Sequence, residues 1–374
     1  MIERWKCKKC DKKWIYPVDR CIYCGEPIEI EVGTKTKVMG VTKISIPSPE
    51  HPIIPYYTLI LEDEHGNKMP KKVMNEYKIG DEFKWEASDD ENAVSIIKIK
   101  YDHEFAVKKA IELVGGLKLD ENTKVLIKPN IMTAAYSYYA LTTNPKVIKA
   151  LIDNLVAQKV SRNNITIAEQ SQFAEFDKAV SRTGIAKLAS DNGVKLVDIA
   201  KTEFVDKESG GFKFKVSKIL YENDLIINVP VMKTHMLLGI SGALENMTRV
   251  VSAETYKELQ NDPAKALEAI CHLHKVLPKY FTLADCSIGL QGNGPLNYGE
   301  PAFLNMIMAS RDPVAVDKVF EEMGMLRKVP LTDTAERMGI GSADMREITV
   351  TGDQLDACKR ELKPAYGSKL IKMR

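Results

Sequence analysis

Between Asp224 and Thr248 the chain reads DLIINVPVMKTHMLLGISGALENMT, an apolar run from Leu225 to Val229 followed at once by Lys233, Thr234 and His235. The run has the length of a buried strand, Pro230 removes a ladder N–H, and a helix start is expected after Gly239 and Gly242. A lysine and a histidine just past a strand are suited to acid–base chemistry, and Lys233 would hold His235 neutral by like-charge repulsion. The same pattern recurs. Lys128 and Asn130 follow the apolar VLI at 125–127, Glu169 follows Ile165–Ala168, Asp285 follows Phe281–Ala284, and Ser310 to Asp312 follow Leu304–Ala309. A parallel sheet gathers such positions along its carboxyl edge, where open α/β sheets bind ligands.

A different chemistry stands at the start of the chain. Cys7-x2-Cys10 and Cys21-x2-Cys24 are two knuckles, each supplying two thiolates to one tetrahedral ion. Zinc is the expected metal and its role structural, since four sulfurs leave no open position; iron of the rubredoxin kind is the other reading. Trp5, Trp14 and Tyr16 are expected to pack around it. The remaining cysteines, Cys271, Cys286 and Cys358, are scattered and read as buried filler, so no disulfide framework is expected.

These residues need elements to hold them, and 374 residues suffice for two or three domains. From Gly33 to Lys98, short alternating runs (KVMGVTKISI, YYTLILED, EFKWEA) separated by SPEHPIIP, HGN and KIGD predict a small β-barrel. Beyond Asp102 to Glu104, strands and helices alternate, with helices opened by Asn144-Pro145, Asp262-Pro263 and Asp312-Pro313. The expected fold class is α/β, a mostly parallel doubly wound sheet, preceded by a four-cysteine ribbon and an OB-like barrel. The boundaries are residues 1–32 for the ribbon, 33–100 for the barrel and 101–374 for the α/β domain. The glycine-rich CSIGLQGNGPLNYG, residues 286–299, reads as a loop whose Gly292 and Gly294 could turn backbone N–H groups toward an anion. It is neither a P-loop nor a dinucleotide fingerprint.

Composition excludes several classes. With 44% hydrophobic and 28% charged residues the chain is not disordered, and no apolar run is long enough to span a bilayer. No apolar stretch follows the basic start MIERWKCKKC, so the expected compartment is the cytoplasm. A formal net charge of +2 gives no global argument for nucleic acid, although Lys6, Lys8, Lys9, Lys12 and Lys13 crowd the ribbon and leave RNA as a third reading. Self-association is left open. No Gly-x-Ser-x-Gly elbow, His-Glu-x-x-His helix or CxxC outside the ribbon is present.

Two resemblances follow from these motifs. The four cysteines, Gly40 and Val41, Tyr56 to Glu62 and Ile79-Gly80-Asp81 resemble the zinc-ribbon plus OB-fold family (domain of unknown function thirty-five) that accompanies thiolase-like acyltransferases. That resemblance implies docking to such a partner or handling of acyl-coenzyme A. Residues 105–352 resemble the domain of unknown function three-six-two family, through VLIKPN (125–130), TTNP (142–145), NVPVMKTH (228–235), GISGALENM (239–247), GNGP within 285–295 and ASRDPVAVD (309–317). Many of its members are labelled iron–sulfur-centre proteins, and the family is remotely similar to nickel-dependent lactate racemase, whose site uses lysine and histidine around a cofactor. This chain departs from it in lacking ferredoxin cysteines and in reading Glu245-Asn246-Met247 where relatives carry Lys-Asn-Leu. The functional expectation is an enzyme acting on an acyl thioester or small carboxylate. Lys233, His235 and Asp285 are its catalytic candidates, and Lys128, Asn130, Glu169, Asn246, Gly292 and Gly294 its ligand contacts. Any cofactor of the second domain is left unnamed, and a non-catalytic scaffold for a thiolase-like complex is the alternative.

Overall fold

A computed structural model describes residues 2–48, 51, 53–85, 87–100, 102–296, 298–327 and 329–366. Positions 49, 50 and 52 of the Pro-rich stretch, 86 in EFKWEA and 297 in the glycine-rich one lie outside the described residues. The chain begins with a three-stranded antiparallel ribbon, β1 (Ile2–Cys7), β2 (Lys13–Trp14) and β3 (Ile28–Gly33), in the order β2-β1-β3. Trp5 and Trp14 face each other across it and pack with Cys7 and Cys21. Tyr16, expected in that packing, is instead exposed. Next come β4 (Thr36–Ile44), β5 (Tyr56–Asp63), β6 (Lys68–Val73) and β7 (Glu82–Phe83), a four-stranded antiparallel sheet in the order β6-β5-β4-β7. Ile2 of the ribbon joins Val38, Leu59, Leu61 and Phe83 in its core.

Val94–Lys98, within the 33–100 stretch, is β8 of a second, ten-stranded sheet, where it pairs with two strands from the far end of the chain. The elements that follow alternate as their patterning requires. They are α1 (His103–Glu112), β9 (Val125–Pro129), α2 (Pro145–Ala157), β10 (Ile165–Glu169), α3 (Phe176–Thr183), α4 (Ile185–Asn192) and β11 (Lys195–Asp198). Capping fixes the helix starts, since Asp102 accepts the Phe105 N–H and Asn144 accepts the Lys146 N–H ahead of Pro145. After α1 the chain turns at Gly115 and Gly116, both at positive φ. A peripheral hairpin, β12 (Phe204–Ser209) and β13 (Phe212–Ser217), leads to β14 (Leu225–Val229), β15 (Val231–His235), β16 (Gly239–Ser241) and α5 (Ala243–Asn246). Then come α6 (Ala253–Asn261), α7 (Ala266–Val276), β17 (Phe281–Gly292), β18 (Gly299–Ser310), α8 (Pro313–Met323), α9 (Pro330–Arg337), β19 (Val350–Gly352) and α10 (Leu355–Cys358). The α7 helix starts later than the Asp262-Pro263 signal predicts, because Asp262 caps only a preceding turn through the Ala264 N–H.

The main path of the large sheet runs β11-β10-β9-β14-β17-β18-β8-β19. Its first five strands are parallel, β17-β18-β8 are antiparallel, and β19 lies parallel to β8. Both faces are covered. Val125 and Ile127 point into one core with α1 and α2, while Leu126 points into the other beneath α6 and α7. Two expectations are corrected. Residues 286–299 form mostly strand, because β17 and β18 are the arms of one long hairpin whose tip alone is a turn. Ser310 pairs with Thr282 at the start of β17, so Ser310 to Asp312 sit at the opposite edge from Lys128 and Glu169. There Asp312 caps α8 through the Val314 and Ala315 N–H groups. No helix among the described residues is long and apolar enough to cross a membrane.

Candidate functional site

Pro230 interrupts what would otherwise be one strand. Val229 ends β14 beside Pro129, the chain bends at the proline, and β15 resumes alongside the upper half of β17, pairing Val231 with Asp285 and Lys233 with Leu290. The expected Lys233–His235 loop is therefore a strand, standing as a ledge above the carboxyl ends of β9 and β10. Alternation along β15 sends Met232 into the core beneath α8 and Val231 into a small apolar cluster with Met132, Leu141 and Leu290. Lys233, two residues on, lies on the Val231 face and reaches the end of β9.

There it meets an unusual set of partners. Its Nζ donates to Asn130 Oδ1 and sits 3.5 Å from the Met132 sulfur, with the side chain 1% exposed. Among the described residues it has no carboxylate within ion-pair distance. Burial dominates, and the Lys233 pKa is pushed down from 10.5 to about 8, with the charges of Glu245, Glu169 and Asp285 acting in the opposite sense. Lys128, equally buried, differs in having Glu169 at 2.7 Å on the neighbouring strand; the other Glu169 oxygen accepts the Gln170 N–H at 2.8 Å. Burial lowers the Lys128 pKa and raises that of Glu169.

His235 is set by its own turn. Nδ1 accepts the Leu237 N–H at 3.0 Å and the Leu238 N–H at 3.1 Å, so the neutral ring carries its proton on Nε2. Burial, with a smaller contribution from Lys233, lowers its pKa to about 4. Asp285 spends both oxygens on the scaffold, accepting the Asn144 N–H at 2.7 Å on one and the Ser287 N–H and hydroxyl at 2.9 and 2.5 Å on the other. Asn246 bridges Pro129 O and Asn228 Oδ1 through Nδ2, leaving its own Oδ1, fully buried, without a partner. Lys128, Asn130, Glu169, Lys233, Asn246 and Asp285 thus form one buried polar cluster.

Gly292 and Gly294 serve otherwise than expected. Their N–H groups donate to Lys363 O and Gly292 O, which leaves neither for an anion. Gly294 instead allows the hairpin tip to touch β15, since a Cβ there would stand 2.1 Å from Thr234 O. Several contributors carry little signal in the sequence. Met132 follows the KPN turn without a chemical signature, and Thr143 bonds the Asn130 N–H and Val229 O from within TTNP. Asn228 is visible there only as a polar residue inside an apolar strand. His272 and His274 part company as their spacing requires, one toward Ser209 Oγ and the other toward Leu244 O and the Tyr280 hydroxyl.

At the other end, the four ribbon sulfurs converge, with all ligand atoms within 4.8 Å of one another and Cys7–Cys24 and Cys10–Cys21 each at 3.4 Å. A tetrahedral ion with bonds of about 2.3 Å holds its sulfurs roughly 3.8 Å apart, so the donor set fits. Among the described residues it is the only group of three or more His, Cys, Asp or Glu side chains placed to hold a metal ion. Four of the ribbon lysines face carboxylates, Lys6 toward Asp11 and Glu31, Lys8 toward Glu29, Lys9 toward Glu26 and Lys13 toward Glu31, while Lys12 lies over the Tyr23 ring.

Several known proteins are similar to this chain. Thylakoid-associated protein sll1697 of Synechocystis sp. is 22% identical over 245 residues, which cover 63% of this chain and 74% of that protein. Among solved structures, the lactate racemase apoprotein from Thermoanaerobacterium thermosaccharolyticum matches at 15% identity and a TM-score of 0.40, over 67% of this chain and 61% of that one. The Ltp2-ChsH2(DUF35) aldolase matches at 19% identity and a TM-score of 0.18, over 21% of this chain and 68% of its own. The family model described as Domain of unknown function (DUF362) matches residues 125–321, over half of the chain and all of the Lys233 cluster, and the protein belongs to that family.

Proposed function

We propose that this protein is an enzyme that moves a proton on a small carboxylate or acyl thioester, with Lys233 as the proton acceptor and the ribbon as a structural zinc site. The observation that carries the reading is a fully buried lysine, with a pKa of about 8, held by an amide oxygen and a thioether. An ammonium so placed is costly to keep, and the free amine is a competent base near neutral pH. His235 changes role relative to the sequence expectation. With Nδ1 occupied and a pKa of about 4, it is a neutral N–H donor at Nε2, suited to steadying a developing oxyanion. Together the two groups can take a proton from the carbon beside a carbonyl. The C–H pair then enters the enolate, whose oxygen accepts from His235. Asp285 and the Lys128–Glu169 pair are positioning groups beneath them.

A screen for hydrogen exchange tests this without the substrate being identified first. The protein is incubated in D2O with a panel of carboxylates and acyl-coenzyme A esters, and deuterium at the α-carbon is read by mass spectrometry. Exchange should fall at least a hundredfold in Lys233→Met and His235→Ala, with circular dichroism unchanged; full exchange by Lys233→Met would sink the reading.

A second reading rests on Ile15, Tyr16, Ile22 and Tyr23, large side chains exposed around the ribbon knuckles. With the four-stranded sheet read as an OB-like barrel, this unit would dock a thiolase-like acyltransferase. Co-purification would then survive Lys233→Met and fail in Cys10→Ser.

A further inference from the structure

A pocket of about 400 Å³ opens over the Lys233 cluster, lined by Met132, Thr133, Leu141, Phe173, Leu296 and Tyr298. These residues come from three segments that meet at the carboxyl edge: the chain after β9, the chain after β10 and the tip of the β17–β18 hairpin. Among the described residues the lining contains no charged side chain, and its floor continues into the apolar cluster of Met132, Ala140, Leu141, Val231 and Leu290. A phosphate or ammonium group would find no counter-charge there. Phe173 and Tyr298 stand at the mouth with 55% and 77% of their surface in water, a costly disposition for rings unless something covers them.

Met132 separates this pocket from the lysine, its sulfur 3.5 Å from Nζ. The Met132 backbone is fixed, because its carbonyl accepts the Gln172 and Phe173 N–H groups and its N–H donates to Leu141 O. Only its side chain is free to move, and an unbranched thioether with three rotatable bonds is well suited to swing aside.

We propose that this pocket binds the hydrocarbon arm of the substrate, with Met132 as a movable floor that yields to bring the polar end of the ligand to Lys233. The substrate class is thereby narrowed to carboxylates or acyl thioesters bearing an uncharged aliphatic or aromatic arm of several carbons. This assignment rests on the reading of Lys233 as the reacting group, and the experiment separates the two.

Acetate, butyrate, hexanoate and octanoate are titrated into the full-length protein by calorimetry, while the Met132 methyl signal is followed by NMR in methionine-labelled protein. Affinity should climb by about fourfold per methylene until the pocket is full, with the Met132 signal shifting in step. Thr133→Trp, which fills the pocket, should flatten the series, and Leu296→Trp repeats the test from the opposite wall. Lys233→Met should weaken every member while leaving the climb intact. A flat series in the wild type, or a climb retained by both tryptophan variants, overturns the pocket assignment. A flat series in which binding still depends on Lys233 spares the lysine, whereas a climb with affinities unchanged in Lys233→Met spares the pocket and removes the lysine.

Discussion

Among the described residues, Lys128 and Lys233 are the two lysines buried to 1% exposure or less, and their neighbours give them opposite properties. Lys128 is neutralised by Glu169, so Lys128→Met would strand a buried carboxylate and should cost about 3–5 kcal/mol. Lys233 has only neutral partners, and its folded pKa of about 8 lies below its ordinary 10.5. Between those values the unfolded chain binds more protons than the folded one, so stability rises with pH across that window. Below about pH 8 the whole penalty is present, at most about 3 kcal/mol. Lys233→Met should therefore stabilise the protein at pH 7 by about 1–3 kcal/mol and abolish the gain between pH 8 and 10.5, measured by urea unfolding at several pH values. A less stable variant would mean that the ammonium has a charge partner. Glu245 moderates this penalty, its charge acting against burial at Lys233 while that of Lys128 adds to it. Sequence placed Lys233 after a strand but could not tell which lysine is paired, because Asn130 and Met132 arrive from about a hundred residues away.

At the scale of elements, the parallel half of the sheet was legible because Val125–Pro129, Ile165–Glu169 and Leu225–Val229 are apolar runs of strand length between well-capped helices. The hairpin was not, because its glycines read as a loop. Gly289 and Gly294 instead permit close crossing of β15, where added Cβ atoms would meet Met232 O at 2.8 Å and Thr234 O at 2.1 Å. The antiparallel return then carries Ser310 to Asp312 to the far edge. A second illegible device holds the helix that follows β16. Gly242 supplies no side-chain cap to α5, and Asp317, from α8, accepts the Ala243 and Leu244 N–H groups at 2.7 and 3.1 Å. Burial outweighs those donors and raises the Asp317 pKa from 3.8 to about 7. Between those values the folded state holds the extra proton, so stability falls as pH rises from about 4 to 7, by up to about 4 kcal/mol. Asp317→Asn should flatten that slope in urea titrations across the same range. An unchanged slope would place the proton on another group.

Over the whole molecule, the order of ribbon, small sheet and α/β body was written in cysteine spacing and in the change of hydrophobic period near residue 102. How the parts are clamped was not, because the clamp joins positions nearly three hundred residues apart. Lys71 of β6 crosses to Asp353 just after β19, its Nζ 2.7 Å from Oδ1, while the other oxygen accepts the Lys98 N–H at 2.9 Å. The same ammonium lies 4.5 Å from the Trp85 ring centre, and Gln354 accepts the Met74 N–H beside it. Burial would raise the Asp353 pKa, but Lys71, aided by Lys100 and the Lys98 N–H, more than reverses this and the carboxyl sits below its ordinary 3.8. Its contribution is therefore complete above about pH 4 and is lost as pH falls through the lowered folded value. Asp353→Asn leaves Lys71 buried without its counter-charge and should cost about 3–5 kcal/mol, while opening the junction around residues 87–100 to limited proteolysis. The paired change Lys71→Met with Asp353→Leu removes both charges and should recover most of that loss, since a buried ion pair is often replaceable by apolar packing. A double variant as unstable and as readily cut as Asp353→Asn alone would show that the junction is held by the shape of Trp85 and Gln354, with the charge pair incidental to it.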